Sequence, residues 1–396
     1  MNPTRKHVLI SGASIAGPAL ALCLNRHGFA TTIVEKSPAL RTGGYAVDFR
    51  GKAHLDVLRR MGVLGEIERA RTRMGAMAMV NSAGKKLVSM PEDLFAGDVE
   101  ILRGDLARIL VDATRERTEY VFGDSITGLA DGADGVDVTF ERAAPRRFDL
   151  VVGADGFHSN VRSIAFGPER DHATHLGLYN AIFTTANHLG LDRTGLGYST
   201  PGKTVTMYSA RDNTEAKAVF YFASALLDLD RHDTAGQQKA LAERFRGGGW
   251  ETDRLLDAMA DAPDFYFDSV GQIRMDAWTR GRIALLGDAA CCPSSLSGMG
   301  TGLAVVGAYA LAGELAAAGG DHRTAFARYE ALVRPYAEGC QKSGEGVSRF
   351  MVPETRFMAW FLNQNFRLLP YLPWKGMMAR SARRTAEAIS VPAYDL

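Results

Sequence analysis

The sequence predicts an α/β fold in which a Rossmann-like nucleotide-binding domain is interrupted by an antiparallel β-sheet domain and followed by C-terminal helices. Three observations support this prediction. Residues 8–35 run as strand, glycine-rich turn, helix, strand and acid. Residues 171–271 contain β-forming, aromatic runs separated by polar turns, and residues 282–290 return to the strand-then-loop pattern before a helical C-terminal part.

The first stretch is typical of a dinucleotide-binding unit. Gly12 permits a tight turn, and Gly17 lets the following helix pack closely on the strand. The free N–H groups and positive dipole end of that helix favour a pyrophosphate. Glu35 is predicted to accept hydrogen bonds from ribose hydroxyls and to repel a 2′-phosphate, which favours FAD or NAD over NADP. Ser14 replaces the second glycine of the fingerprint, and the alternative interpretation is an ordinary βαβ unit.

The next elements continue this alternation. A short helix ends at Gly62, residues 74–97 indicate a hairpin with a proline-containing loop, and an amphipathic helix is entered from Asp105. Residues 119–142 alternate as strands, and a further buried strand ends in the glycine-rich turn 153–156.

The chain length indicates more than one structural unit. At 396 residues it exceeds the usual size of a single core, so two packed domains are predicted. The predicted boundaries place residues 1–73, 98–170 and 272–340 in the nucleotide-binding domain, residues 74–97 and 171–271 in the inserted β-sheet domain, and residues 341–396 in a C-terminal helical segment.

The composition excludes several classes of partner. A net charge of +1 gives no reason to expect nucleic acid. The four cysteines show neither CxxC nor metal-ligand spacing, so reduced thiols in the cytoplasm are the simplest interpretation. Because no run of about 18 apolar residues occurs, no transmembrane helix is predicted. No metal-binding cluster and no Ser/His/Asp set is recognised, and the oligomeric state is left open.

Three further segments are placed where ligands collect in open α/β sheets: Arg103 in ILRGDL, Asp149 to Arg162 in DLVVGADGFHSNVR, and Arg282 to Ala304 in RIALLGDAACCPSSLSGMGTGLA. With the fingerprint they make four ordered motifs. In these motifs the sequence resembles the single-component FAD-dependent aromatic monooxygenases, such as hydroxybenzoate hydroxylase, and in pattern most closely the tetracycline-inactivating monooxygenases. The resemblance spans roughly residues 7–340.

The resemblance implies roles for individual residues. The GADG turn with Asp155 approaches the FAD pyrophosphate and NAD(P)H, and the Asp288 carboxylate binds the ribityl chain. Arg103 reaches the diphosphate or ribityl oxygens, Asp48 contacts FAD, and Arg41 lies near the nicotinamide cofactor. Together with the fingerprint, the predicted cofactor-binding residues are Gly12, Ser14, Ala16, Gly17, Glu35, Lys36, Arg41, Asp48, Arg103, Asp155, Gly287, Asp288, Gly298, Met299 and Gly300.

The sequence also departs from the family pattern. Met299, Gly302 and Gly307 stand where members usually carry glutamine, asparagine and aspartate, which removes polar side chains near the flavin ring. Ile182 and Phe220 stand where tetracycline-inactivating relatives place polar drug contacts, so tetracycline is not the expected substrate. The predicted substrate-binding residues are Ile182, Tyr208, Phe220, Phe222 and Pro293, which would form a dry cavity over the flavin.

The implied reaction is monooxygenation: NAD(P)H reduces FAD, O2 forms a flavin hydroperoxide, and one oxygen passes to an aromatic or polycyclic small molecule. The cofactor performs this chemistry, so no side chain is predicted to be catalytic. One alternative is a flavin-dependent dehydrogenase or oxidase; a halogenase is disfavoured because the WxWxIP motif is absent. Another is a non-catalytic FAD-binding protein. The apolar C-terminal segment is predicted to cover the domain interface, with a cover over the substrate cavity, protomer contact or a membrane surface as alternatives.

Overall fold

A computed structural model describes residues 6–41, 43–90, 97–347, 351–368 and 383–394. The proline-containing loop predicted after the hairpin therefore lies largely outside the described residues, as do parts of the predicted ranges 1–73 and 341–396. The strands are β1 His7–Ser11, β2 Ala30–Glu35, β3 Ala46–Phe49, β4 Met77–Val80, β5 Lys86–Met90, β6 Val99–Leu102, β7 Thr118–Phe122, β8 Ile126–Asp131, β9 Val136–Phe140, β10 Arg146–Phe148, β11 Leu150–Gly153, β12 Ala173–Thr185, β13 Gly195–Thr200, β14 Lys203–Ala210, β15 Glu215–Ala223, β16 Tyr266–Ile273, β17 Thr279–Arg280 and β18 Ile283–Leu285. The helices are α1 Ala16–Arg26, α2 Gly51–Arg60, α3 Leu64–Arg69, α4 Arg103–Asp112, α5 Asn160–Ala165, α6 Thr234–Phe245, α7 Thr252–Met259, α8 Asp288–Cys291, α9 Gly300–Ala317, α10 His322–Gly344 and α11 Arg356–Leu368.

The nucleotide-binding part is built on a six-stranded sheet in the order β17-β18-β11-β1-β2-β7. All its pairings are parallel except β17 with β18. Its central strands are buried on both faces, which is why their sequences are continuous apolar runs rather than alternating ones. The predicted α/β class is therefore confirmed, and strand β18 joins this sheet after an insertion of more than 100 residues.

That insertion forms a seven-stranded sheet in the order β16-β12-β15-β14-β13-β4-β5. Its pairings are antiparallel except for β13 with β4. The hairpin β4–β5 thus belongs to the same sheet as the strands of residues 173–273, although it precedes them by some 90 residues in the chain. The exact domain boundaries stay predictions.

The seven-stranded sheet buries both of its faces, and each face holds a different cluster. Tyr179, Phe183, Phe220 and Phe222 point to one side, where they pack with residues of α6 and α7. Their neighbours along the strands point to the opposite side. We call that second side the inner face; its cluster contains Leu178, Ile182, Val219, Tyr221, Val270 and Val352.

Helix α4 begins earlier than predicted. Its first residue is Arg103 and its N-cap is Leu102, so Asp105 lies in the first turn instead of capping the helix. Asp105 forms ion pairs with Arg108 and Arg211. The backbone turns helical at Arg103, directly after the extended residue Leu102, whereas Leu106 and Leu110 are buried as predicted.

Helix α9 is buried between α1 and α10. Among the described residues it is the one helix long and apolar enough to cross a membrane, but 78% of its length lies inside the protein. Its apolar composition is therefore accounted for by the core.

The C-terminal part returns to the seven-stranded sheet. Thr204 donates a hydrogen bond from Oγ1 to the Met351 carbonyl at 2.8 Å, and Gly202 N donates to the Pro353 carbonyl at 2.9 Å. Helix α11 then runs along β5 and β13 and exposes Phe357 and Trp360. The described portion of this segment therefore packs on the seven-stranded sheet, and its covering of the domain interface stays a prediction.

Candidate functional site

The turn after β1 requires glycine for steric reasons. Gly12 has φ +106°, and a Cβ there would lie 2.5 Å from the Ala154 carbonyl oxygen. A Cβ on Gly17 would lie 2.0 Å from the Gly12 carbonyl oxygen. The fingerprint turn and the GADG turn are thus in backbone contact, and neither can accept a side chain between them.

Two helices begin beside this turn without a side-chain cap. The N-cap of α1 is Ile15 and that of α9 is Met299; neither donates or accepts a capping hydrogen bond, and neither helix has an acid in its first turn. Gly287 lies between the two helices, because a Cβ on it would be 3.5 Å from Ala16 Cβ and 3.2 Å from Ala304 Cβ. Gly287 thus separates α1 from α9, and each of these helices has an N-terminus without a side-chain cap, which favours anionic oxygens.

Glu35 is held at the end of β2 by backbone donors. Its carboxylate accepts hydrogen bonds from Ala13 N at 2.8 Å and from Ser37 N at 2.9 Å. Arg41 lies 4.0 Å from it, with 65% of its side chain exposed, and Lys36 is exposed. The carboxylate is fixed beside the fingerprint turn. The contacts of Lys36 and Arg41 with a cofactor stay predictions.

Asp288 occupies a recess at the start of α8. Its Oδ1 lies 3.5 Å from the Cβ position of Gly300, and the Pro293 ring lies 3.8 Å from the same position. Burial raises the pKa of the Asp288 carboxyl, and a hydrogen bond with the Cys292 thiol and the charge of Arg103 only partly offset this. The structure thus brings Asp288, Pro293, Gly300 and the Arg103 charge together at the N-terminus of α9.

Arg103 is placed by the loop that precedes β3. Its backbone N donates to the Tyr45 carbonyl at 2.9 Å, and its side chain passes over Gly44, where a Cβ would lie 3.4 Å from Arg103 Cδ. Gly44 has φ +116°, so its backbone conformation favours glycine. The Arg103 side chain packs directly against this glycine.

Asp48 lies on β3, directly opposite Glu100 on β6. It forms an ion pair with Arg50 at 3.2 Å and accepts a hydrogen bond from Gly97 N at 2.8 Å. Burial and the neighbouring Asp48 charge raise the pKa of Glu100 to about 7. A contact of Asp48 with the cofactor stays a prediction, and Glu100 is an acidic neighbour that sequence reasoning missed, because nothing in a four-residue strand specifies its cross-strand partner.

Asp155 and Arg162 both serve the turn that follows β11. The Asp155 carboxylate accepts hydrogen bonds from Ser11 Oγ at 3.2 Å, Asn160 N at 3.0 Å and Val161 N at 3.1 Å. Arg162 is fully buried and donates to the Ala289 carbonyl at 3.1 Å. Asp155 therefore uses its oxygens to build the turn, and Arg162 joins that turn to the segment of Asp288.

The predicted substrate residues separate into two groups. Ile182 and Tyr208 lie on the inner face, where Tyr45, Leu296 and Met351 pack against its cluster. Phe220 and Phe222 point to the opposite face and are fully buried with Phe245 of α6. These four residues therefore do not line one cavity, contrary to the prediction. Successive side chains of a strand point to opposite faces, and the two phenylalanines occupy positions that point away from the inner face.

His158 is an unpredicted link between the two sheets. Its Nδ1 lies 3.0 Å from Glu169, and its Nε2 lies 3.0 Å from Asp268 on β16, whose carboxylate also accepts from Tyr266. Glu169 in turn pairs with Arg162 at 3.2 Å. Burial disfavours the imidazolium, but the hydrogen bonds and charges of Asp268 and Glu169 outweigh it and raise the pKa of His158 to about 9.

This shift predicts a pH-dependent stability. Because the pKa of His158 is higher in the folded protein than the unperturbed 6.5, its contribution is complete below pH 6.5 and is lost as the pH rises through about 9. After allowance for solvent screening we expect the free energy of unfolding to fall by about 1–2 kcal/mol over this interval, and H158Q to lack that fall. Urea unfolding across the interval measures it. The exposed His232 provides the control H232Q, which should follow the wild type; equal slopes for H158Q and wild type would contradict the assignment.

The residues around the fingerprint turn suit FAD. The contact between two glycine-rich turns admits no side chain, α1 and α9 both begin without a side-chain cap, and the Arg103 charge lies near Asp288. These are the features that a diphosphate needs. Asp288 is the carboxylate available for hydroxyl groups next to the diphosphate. In the described part of the chain no group of three or more His, Cys, Asp or Glu side chains could hold a metal ion, and all four cysteines are buried and free.

Comparison with known proteins agrees with this geometry. Residues 5–342 match the family described as FAD binding domain. An uncharacterized protein of Mycobacterium tuberculosis is 48% identical over 339 residues, which cover 84% of this chain and 91% of that protein. A flavin-dependent monooxygenase of Legionella longbeachae is 42% identical over 352 residues, which cover 88% and 90%.

The fold agrees as well. The crystal structure of tetracycline destructase Tet(55) superposes with a TM-score of 0.85 and 39% identity, and the match covers 100% of both chains. The chain therefore belongs to the FAD-binding-domain family of single-component flavin-dependent monooxygenases.

Proposed function

We propose that this protein uses NAD(P)H and O2 to hydroxylate an aromatic or polycyclic small molecule held between the inner face of the seven-stranded sheet and the flavin. One observation above all supports this proposal. Leu296, in the loop that leads into α9, packs against the inner-face cluster together with Tyr45 and Tyr208. The cofactor side and the sheet therefore share one apolar boundary.

The side chains of this boundary have distinct tasks. Arg103 and the N-termini of α1 and α9 hold the diphosphate and negative charge of the cofactor, and Asp288 binds its hydroxyl groups. Tyr45 and Ile182 exclude water from the space above. FAD, when bound, supplies the redox chemistry that activates O2 with electrons from NAD(P)H.

The decisive experiment measures the cofactor and the product. Purified protein is expected to be yellow, and to oxidise NADH or NADPH faster when a suitable aromatic compound is added. Mass spectrometry of the product should show the gain of one oxygen atom. Loss of two hydrogens would instead indicate a dehydrogenase, and FAD that neither nucleotide reduces would indicate a binding protein.

D288A is expected to weaken FAD binding by about 10- to 100-fold, the effect of losing one or two hydrogen bonds to a charged acceptor. Flavin fluorescence during titration of the apoprotein measures the dissociation constant. The exposed Asp276 gives the matched control D276A, which should bind FAD like the wild type. Equal affinities for D288A and D276A would contradict the role of Asp288.

Tetracycline belongs in the substrate panel because of the similarity to Tet(55). We expect no turnover of it, since Ile182 places an apolar side chain on the inner face. Phe220 lies on the other face and does not support that expectation.

A further inference from the structure

The inner face continues beyond Tyr208 into an unusual edge. Here β13 runs parallel to β4, and the register places Gly195 beside Met77 and Gly197 beside Met79. Gly195 is also the partner of Tyr208 on the neighbouring strand β14. Directly paired residues lie on the same face, so both glycines and both methionines belong to the inner face.

The methionine side chains lie down over the glycines. A Cβ on Gly195 would be 2.9 Å from Tyr208 Cβ and 3.1 Å from Met77 Cε. A Cβ on Gly197 would be 2.9 Å from Met79 Sδ. The space that side chains of β13 would occupy is therefore filled by two thioether groups. We call Met77, Met79, Gly195 and Gly197 the methionine shelf.

The shelf is bounded on two sides. On one side the Tyr208 hydroxyl accepts a hydrogen bond from Ala46 N at 3.3 Å, and on the other Thr204 binds the Met351 carbonyl. Met77 and Met79 are both half-buried, unlike the neighbouring inner-face residues Val88 and Met90 of β5, which are buried. Met77 and Met79 therefore each keep part of their surface exposed.

We propose that the methionine shelf binds the distal ring of a flat substrate with two or more fused rings and makes the enzyme prefer such molecules to single-ring phenols. This inference rests on the proposed function. A ring that reacts near Tyr45 and Ile182 leaves any further fused ring to extend past Tyr208 along the same face. Thioethers suit this place because they are polarisable, contact aromatic rings favourably, and adapt to differing ring outlines.

The test compares two substrates in the holoenzyme. M79A removes the thioether. G197A forces the Met79 side chain to shift from its place over β13, because the added Cβ would meet its sulfur. For both variants we expect the ratio of KM for naphthol to KM for phenol to rise about ten-fold, as is usual for lost apolar contacts in a pocket. Met259, buried with α7 on the opposite face, gives the control M259A, which alters core packing and should leave the ratio as in the wild type.

A ratio unchanged in both shelf variants, or one that shifts equally in M259A, would overturn the proposal. Direct binding keeps this test separate from the reaction. Naphthol titrated into the oxidised holoenzyme should bind the wild type more tightly than M79A and G197A even if neither compound is hydroxylated. If no aromatic compound is hydroxylated while this difference in binding is found, the proposed function fails and the shelf stands. If hydroxylation occurs and the variants bind naphthol like the wild type, the proposed role of the methionine shelf is refuted while the proposed function stands.

Discussion

Replacing Gly12 by alanine is expected to abolish FAD retention and to lower the free energy of unfolding by about 3–5 kcal/mol. Two costs add. The φ of +106° is strained for any residue with a Cβ, at about 1–3 kcal/mol. The new Cβ would also lie 2.5 Å from the Ala154 carbonyl oxygen, so the two backbone turns must separate. This separation costs a further amount of about 1–3 kcal/mol.

Separation of the turns displaces the start of α1 from the GADG turn, which is why FAD binding should be lost together with stability. The absorbance of the purified protein and urea unfolding measure the two effects. Gly65 supplies the matched control, because it is exposed in α3, has an ordinary φ, and a Cβ there meets nothing within 4 Å. G65A should be as stable as the wild type or slightly more stable. A yellow G12A protein of wild-type stability would refute the close contact.

Arg162→Met is expected to lower the free energy of unfolding by about 3–4 kcal/mol, the cost typical of removing one member of a buried charged network. The guanidinium is fully buried and donates to the Phe157 carbonyl at 2.5 Å and to the Ala289 carbonyl at 3.1 Å. Methionine fills much of the volume but leaves both carbonyls without this donor. Because Ala289 follows Asp288, we also expect weaker FAD binding.

Thermal or urea unfolding and an FAD titration check both parts of this prediction. The matched control is Arg170→Met, because 86% of the Arg170 side chain is exposed. Its effect should stay within about 0.5 kcal/mol. If R162M lost stability but bound FAD like the wild type, Arg162 would support the fold without positioning the Asp288 segment.

Local patterns sufficed for the nucleotide-binding unit. Strand, turn, helix and strand between residues 8 and 35 follow from neighbours in the chain, and Gly17 is required by a contact with Gly12 within that stretch. The same is true of the burial of Leu106 and Leu110 on α4. Such features are predictable because period and turn chemistry act over a few residues. The contact of Gly12 with Ala154 is added by the tertiary structure.

The resemblance to flavin-dependent monooxygenases made it possible to predict a site from residues that lie far apart in the chain. Arg103 and Asp288 were assigned to one site from their motifs, and the structure places the Arg103 charge beside Asp288. Their contacts with FAD itself stay predictions. The helix start at Arg103 differs from the predicted one, because the capping residue Leu102 ends strand β6 and offers no side-chain cap that a sequence pattern could show.

The side of the sheet on which each aromatic residue lies could not be read from the sequence. Phe220 and Ile182 belong to equally apolar strands. In a sheet that is buried on both faces, both alternating sets of side chains are apolar, so the sequence does not tell which set faces the cofactor. The pairing of β12, β15 and β14, and the docking of α6 and α7 on one side only, assign Ile182 and Tyr208 to the inner face and Phe220 and Phe222 to the core. The glycine-rich turns are therefore signalled by the sequence itself, whereas the composition of the inner face arises from strand pairing, which includes the pairing of β13 with β4 from more than 100 residues earlier in the chain.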